Sequence, residues 1–297
     1  MGIDRLENLF HPDSVAVVGA SERSGSVGRA VMQNMLDAGF EGPVYPVNPG
    51  HSSIMGKKTF AALDHIGEPV DLVIVATPME TVPSIIAGCS RIGAAGAVII
   101  SAGGKETGRM GRQFEKKIHE EAVGAGLRII GPNCLGIMCS AARLNASFAA
   151  RMPLDGRLAF VSQSGAICTA ILDFSVKERI GFSHFISLGS MLDVNFGDVI
   201  DYLGADPKVG SIVMYVESLS HHRQFMSAAR AVSRVKPIIA LKAGRTRAGA
   251  SAAASHTGAM AGEDMVYDAA FPRAGIGRVK TFEELFDAAG ILSPKRR

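Results

Sequence analysis

The sequence predicts an α/β fold with two successive parallel sheets, each covered by helices, and three observations carry that prediction. Short β-branched runs alternate with amphipathic stretches of ten or more residues, the pattern of strands joined by crossover helices. The runs are near-continuously apolar rather than alternating, as in VDLVIVA (70–76), which is how strands buried on both faces read. Gly-, Pro- and Ser-rich loops follow the runs, and a fresh α/β series begins after RMPLDGR (151–157), which reads as a linker and turn. A chain of 297 residues accommodates two domains of ordinary size. We place them at 1–145 and 150–297.

In the first domain, SVAVVG (14–19) is a strand that ends in Gly. The loop GASERSGSVG and the amphipathic stretch RAVMQNMLDAGF follow, giving strand, turn and helix. Gly19, Gly25 and Gly28 permit a tight turn and a close approach to a phosphate at the helix start. Their spacing is wider than G-x-G-x-x-G, so this is not the dinucleotide fingerprint. PVYPVN (43–48), VDLVIVATP (70–78), GAVIIS (96–101) and RIIG (128–131) are the next strands. Helices are expected near 80–92 and 107–124. Ligands of such sheets sit at the carboxyl ends of the strands, here the loops 20–26, 47–50, 77–80, 101–105 and 131–136. A dinucleotide site wants an acidic residue at the end of the second strand for the ribose hydroxyls. Asn48 stands there instead. That demotes NAD and an oxidoreductase reading, and points to a nucleotide with a different tail, coenzyme A.

In the second domain, strand segments are expected at LAFVSQSGA (158–166), 182–187, 211–218 and 237–244. Helices are expected at 167–179, 196–204, 222–235, 263–273 and 281–291. This is flavodoxin-like in strand count. Ser162, Gln163, Ser164 and Gly165 lie between a strand and a helix, where hydroxyls and unbonded N–H groups make an anion site. A nucleophilic serine elbow would want G-x-S-x-G, and Ser162 occupies the place of its first Gly. Ser251–Gly262 reads SAAASHTGAMAG, a run of small residues around one titratable group, His256. Imidazole is a competent nucleophile near neutral pH. We read His256 as a carrier of a phosphoryl group; the competing reading is a helix start capped by Ser255 or Thr257. Glu217, at the end of the 211–217 run, is on the same sheet edge. It is placed to fix the imidazole tautomer, or else is a solvated carboxylate. His221 and His222 read as surface residues.

Composition limits the alternatives. The net charge of +3 is too small to argue for nucleic acid. Cys89, Cys134, Cys139 and Cys168 show no paired metal-ligand spacing, so no metal is expected and the thiols read as reduced, in a cytoplasmic protein. MGIDRLENLF has no basic region followed by an apolar run, so no secretory signal is expected. The apolar runs are too short to span a membrane.

SVAVVGASERSGSVG, YPVNP, VIVATP, IIGPNCLGIM, FVSQSGA, YVES and SHTGAMAGEDMVYDAAFPRAGI occur in this order over nearly the whole chain. With them the sequence resembles the NDP-forming acyl-CoA synthetases, the family of the succinyl-CoA synthetase α subunit and, more closely, the ADP-forming acetyl-CoA synthetases. The resemblance implies a Rossmann-like CoA-binding domain followed by a flavodoxin-like ligase domain. It implies the reversible reaction of acyl-CoA, ADP and phosphate to carboxylate, CoA and ATP, through an acyl phosphate and a phosphohistidine. On the matching motifs His256 is the phosphorylated residue and Glu217 the carboxylate that steadies it. Ser162, Ser164, Gly165 and Gly258 bind phosphate, and Gly19, Ser21, Ser24, Pro46, Asn48, Pro78 and Asn133 line the CoA side. Nothing in the sequence reads as an ATP-grasp domain or as G-x-x-x-x-G-K-S/T. Mg-ADP or Mg-ATP is therefore expected on a partner, an ATP-grasp β subunit or domain, with a small carboxylic acid as substrate and a homodimer or heteromer as the assembly. The rival reading is a non-catalytic CoA- or acyl-CoA-sensing module, like the synthetase-like regions of protein acyltransferases, which YVESLSHHRQFMSAARAVSR resembles. The presence of His256 favours the enzyme.

Overall fold

The computed structural model describes residues 5–245 and 264–292. The chain forms two compact units. One runs up to residue 152 and takes in 189–193; the other comprises 153–188 and the chain from 194 onward.

The first unit contains α1 (Leu6–Phe10), β1 (Val15–Val18), α2 (Val27–Asp37), β2 (Val44–Val47), β3 (Ser53–Ile54), β4 (Lys57–Lys58), β5 (Leu72–Val75), α3 (Val82–Arg91), β6 (Gly96–Ile99), α4 (Arg109–Ala125), β7 (Arg128–Ile130), β8 (Gly136–Cys139) and β9 (Leu144–Ser147). Five of these strands form a parallel sheet in the order β2-β1-β5-β6-β7. β1 (VAVV) and β5 (LVIV) are buried at every position because helices cover both faces. On one face Val73, Val75, Ala97, Ile99 and Ile129 pack with Val82 and Ile86 of α3 and Ile118 and Ala122 of α4. The stretch 189–193 is held to this unit by a buried ion pair. Arg128 Nε lies 2.9 Å from Asp193 Oδ2, which also accepts the Ile129 N–H at 2.8 Å.

The second unit contains β10 (Leu154–Ser162), α5 (Gly165–Glu178), β11 (Gly181–Ser187), α6 (Phe196–Ala205), β12 (Ser211–Val216), α7 (His222–Val232), β13 (Ile238–Lys242), α8 (Asp264–Arg273), β14 (Ile276–Val279) and α9 (Phe282–Leu292). Its parallel strands run β14-β13-β12-β10-β11. Phe174 of α5 stacks on Phe286 of α9, and Phe225 of α7 packs on Phe271 of α8. In both sheets the first strand is flanked by the second and the third, so the order turns around beside it. Crevices at carboxyl ends open at such switch points.

Several features differ from the sequence reading, the small β3–β4 antiparallel pair among them. β10 begins at Leu154, within the expected linker. A Cβ on Gly156 would stand 2.3 Å from the Gly181 backbone, so a glycine that reads as a turn serves a close strand approach. The β8–β9 antiparallel hairpin, β14 (IGRV) and α1 were not expected at all. Each is short, and β14 carries a Gly, so none has a periodic signal. Among the described residues no helix is long and apolar enough to cross a membrane.

Candidate functional site

In the first unit the switch point lies between β1 and β5. Gly19, at φ +88°, turns the chain directly after β1. A Cβ on it would meet the Ala76 carbonyl oxygen at 2.7 Å, and one on Gly28 would meet the Gly19 carbonyl oxygen at 1.9 Å. The loop thus lies flat against the start of α2 because two side chains are missing. Ser26 caps α2 by accepting the Arg29 N–H. Ser21 accepts the Arg23 N–H at 3.0 Å, and Ser24 is exposed at the loop tip. Asn48 joins this loop to the end of β2: its amide donates to the Ala20 carbonyl at 2.8 Å, and its carbonyl accepts the Gly50 N–H at 2.9 Å. A carboxylate in place of Asn48 has no N–H to give, which is a structural reason for the missing acid. Pro78 is exposed after β5, and Asn133, at φ 55°, donates its N–H to Ser101 at 2.9 Å. Pro46 differs from its companions. It is buried within β2, paired with Val17, rather than at the strand ends.

The second unit's switch point lies between β10 and β12, and four predicted residues, Ser162, Ser164, Gly165 and Glu217, lie there. Ser162 is fully buried; its hydroxyl accepts the Ser164 N–H and donates to the Ser164 carbonyl, both at 3.0 Å. Ser164 is the N-cap of α5 and accepts the Ile167 N–H. Gly165 opens the helix, whose first-turn N–H groups have no intrahelical partner. Glu217 is 7% exposed and lies at the bend after β12. Gln163, given no role of its own in the sequence reading, joins the two sides. Its Oε1 accepts the Glu217 N–H at 2.6 Å and the Ser218 N–H at 2.9 Å, while its Nε2 donates to Ser218 Oγ at 3.2 Å. The Glu217 charge adds to burial in pushing the Tyr215 phenol up to about 12. Burial likewise pushes the Cys168 thiol beneath Ser162 up to about 12, so it is inert. His221 and His222 are exposed at the start of α7. His256 and Gly258 lie outside the described residues. Among the described residues no cluster of potential metal ligands occurs.

Each of the two doubly wound units carries a Gly- or Ser-rich loop feeding a helix start at its switch point, the class of α/β protein in which such loops suit anionic ligands. The comparisons narrow this. Residues 13–140 match the CoA binding domain family, and residues 155–292 match the succinyl-CoA ligase like flavodoxin domain. An ADP-forming acetate–CoA ligase of Methanocaldococcus jannaschii is 44% identical over 97% of this chain and 40% of its own length. The α subunit of ADP-forming acetate–CoA ligase I of Pyrococcus furiosus is 41% identical over 97% of this chain and 63% of its own. The structure of the dinucleotide-forming acetyl-coenzyme A synthetase 1 of Ca. Korarchaeum cryptofilum, in complex with phosphate and ADP, superimposes with a TM-score of 0.93. It is 40% identical over 97% of this chain and 62% of that one. The chain belongs to the NDP-forming acyl-CoA synthetase family and corresponds to its α-subunit-like part. It spans two-fifths to under two-thirds of the length of these relatives.

Proposed function

We propose that this chain carries the CoA-binding and phosphoryl-carrying halves of an ADP-forming acyl-CoA synthetase. The reaction is acyl-CoA + ADP + phosphate ⇌ carboxylate + CoA + ATP. The observation that carries this reading is the Gln163 bridge, which sets Glu217 against the start of α5 at the switch point of the second sheet. Phosphate attacks the acyl thioester, giving an acyl phosphate and CoA thiolate. His256 then takes the phosphoryl group, releasing the carboxylate, and passes it to ADP on an ATP-grasp β subunit or domain. Glu217 accepts a hydrogen bond from one imidazole nitrogen and leaves the other to attack phosphorus. The α5 start, shaped by Ser162, Ser164 and Gly165, offsets the phosphate charge, with Gly258 in the same role from the His256 segment. Coenzyme A takes the first unit's edge, lined by Gly19, Ser21, Ser24, Asn48, Pro78 and Asn133. Pro46 acts from within β2 by setting the course of the chain into Asn48. The acid is small, by analogy with the acetate-named relatives.

The test is the intact mass of the chain after incubation with Mg-ATP and an ATP-grasp partner chain. Wild type is expected to gain one acid-labile, base-stable phosphate, and His256→Ala none. If neither gains phosphate while both bind CoA, the chain is an acyl-CoA-sensing module instead.

A further inference from the structure

SAGGKETG (101–108) follows β6 and leads into α4 at the carboxyl edge of the first sheet. Ser101 ties this loop to the strand ends on both sides. Its hydroxyl donates to the Thr77 carbonyl at 2.5 Å, next to Pro78, and its carbonyl accepts the Asn133 N–H at 2.9 Å. Gly103, at φ +110°, lies so close to the turn after Pro78 that a Cβ on it would stand 3.0 Å from Met79 Cβ. The loop therefore links two residues of the proposed CoA edge, Pro78 and Asn133.

Three consecutive N–H groups of the loop donate to carboxylates of this same unit. Glu106 Oε1 accepts the Gly103 N–H at 2.8 Å and the Gly104 N–H at 3.1 Å. Glu115 Oε1, from α4, accepts the Lys105 N–H at 3.0 Å. Thr107 Oγ1 donates to the Gly104 carbonyl at 2.9 Å, and Lys105 Nζ to the Ser190 carbonyl at 2.8 Å. Gly104 has no room for a side chain, since a Cβ would stand 2.3 Å from Glu115 Oε1. Glu106 Oε2 is buried with no hydrogen-bond partner among the described residues, so the Glu106 carboxylate holds the two glycines through one oxygen. Successive N–H groups of this kind ordinarily gather round a bound anion; here the anion is the chain's own, and charged acceptors make the stronger bonds.

We propose that Glu106 is a positioning residue for CoA: by holding the Gly103 and Gly104 N–H groups it fixes the Ser101–Lys105 loop as a wall between the Pro78 and Asn133 strand ends. The inference rests on the reading of this sheet edge as the CoA site. It adds a residue that lies beyond the strand end and acts on backbone alone. Because carboxylates already take those three N–H groups, the wall suits the uncharged pantetheine arm rather than a phosphate, and the phosphates are left to the loop after β1.

The experiment is calorimetry of the full chain with CoA, and with adenosine bisphosphate as the ribose-phosphorylated nucleotide end of CoA, in wild type, Glu106→Gln, Glu106→Asp and Glu106→Ala. Amide hydrogen exchange at Gly103 and Gly104 is read on the same samples, and thermal melts check folding. In Glu106→Ala the two glycines are expected to exchange about tenfold faster or more, and CoA affinity to fall about tenfold or more. Glu106→Gln keeps an acceptor oxygen and is expected to stay within about threefold of wild type on both. Adenosine bisphosphate affinity is expected to change by no more than about twofold in any variant. A folded Glu106→Ala with wild-type CoA affinity, or with unmoved glycine exchange, overturns the proposal. Equal loss of CoA and adenosine bisphosphate affinity also overturns it, because that marks a general loosening of the edge. If Glu106→Ala does not fold, Glu106→Asp, too short to reach both glycines, decides by the same criteria; failure of both to fold marks Glu106 as structural and overturns the proposal. Wild type that binds neither ligand removes the CoA reading of this edge and the proposal with it, whereas a failure confined to the Glu106 variants leaves the CoA reading standing.

Discussion

At the scale of single residues, the second unit's site depends on side chains that act on backbone. Gln163 spends its carbonyl on two consecutive N–H groups 54 and 55 residues away and its amide on Ser218 Oγ. Replacing it with Leu keeps the bulk and strands one buried and one half-buried donor, at about 1–3 kcal/mol. Gln163→Leu is therefore expected to lower stability by that amount in urea unfolding and to slow phosphorylation at least tenfold, about 1.4 kcal/mol in barrier, because Glu217 loses its anchor. A variant that loses stability yet phosphorylates at the wild-type rate would show that the bridge is only structural. The position of Ser162, Ser164, Gly165 and Glu217 at strand ends was legible in the sequence, because a strand that ends in polar or small residues marks the sheet edge. The bridge made by Gln163 was not, because a glutamine's partners are fixed by a turn distant in sequence.

At the scale of elements, α5 is the piece on which the anion reading turns, and its start is specified locally. Ser164 is extended at φ −96°, ψ 120° and caps the helix with its hydroxyl. Ser164→Ala is expected to cost about 1 kcal/mol, and Ser164→Gly only a few tenths, read as the difference in urea midpoints at constant slope. Equal costs would mean that the hydroxyl contributes through something other than the cap. Long amphipathic stretches such as α4 and α7 were placed by the sequence to within a few residues, because burying one face of a helix leaves a period that survives in the composition. The short β8–β9 hairpin and β14 leave no such trace. Gly156 misled for a physical reason: a missing side chain serves a turn or a close strand approach equally well, and only the partner Gly181 decides which.

At the scale of the whole molecule, the two units repeat one strand order and put their loops to different chemistry. In the first, Gly19 and Gly28 let the loop after β1 pack closely against neighbouring backbone. The second builds a helix start joined through Gln163 to a buried carboxylate. If CoA capture belongs to the first and phosphoryl carriage to the second, the two must separate under mutation. Gly19→Ala places a methyl 2.7 Å from the Ala76 carbonyl, at a backbone angle that L side chains rarely adopt. It is expected to weaken CoA binding at least tenfold, about 1.4 kcal/mol, by calorimetry. The phosphate gained from Mg-ATP through the ATP-grasp partner should stay within about twofold of wild type, about 0.4 kcal/mol in barrier. His256→Ala is expected to do the reverse, losing the phosphate and keeping CoA affinity within about twofold, about 0.4 kcal/mol. Acyl-CoA synthesis, which needs both, should fail in either variant and return when the two are mixed only if the intermediate can pass between chains. Loss of both partial activities in each single variant would refute the division of labour and leave one indivisible site.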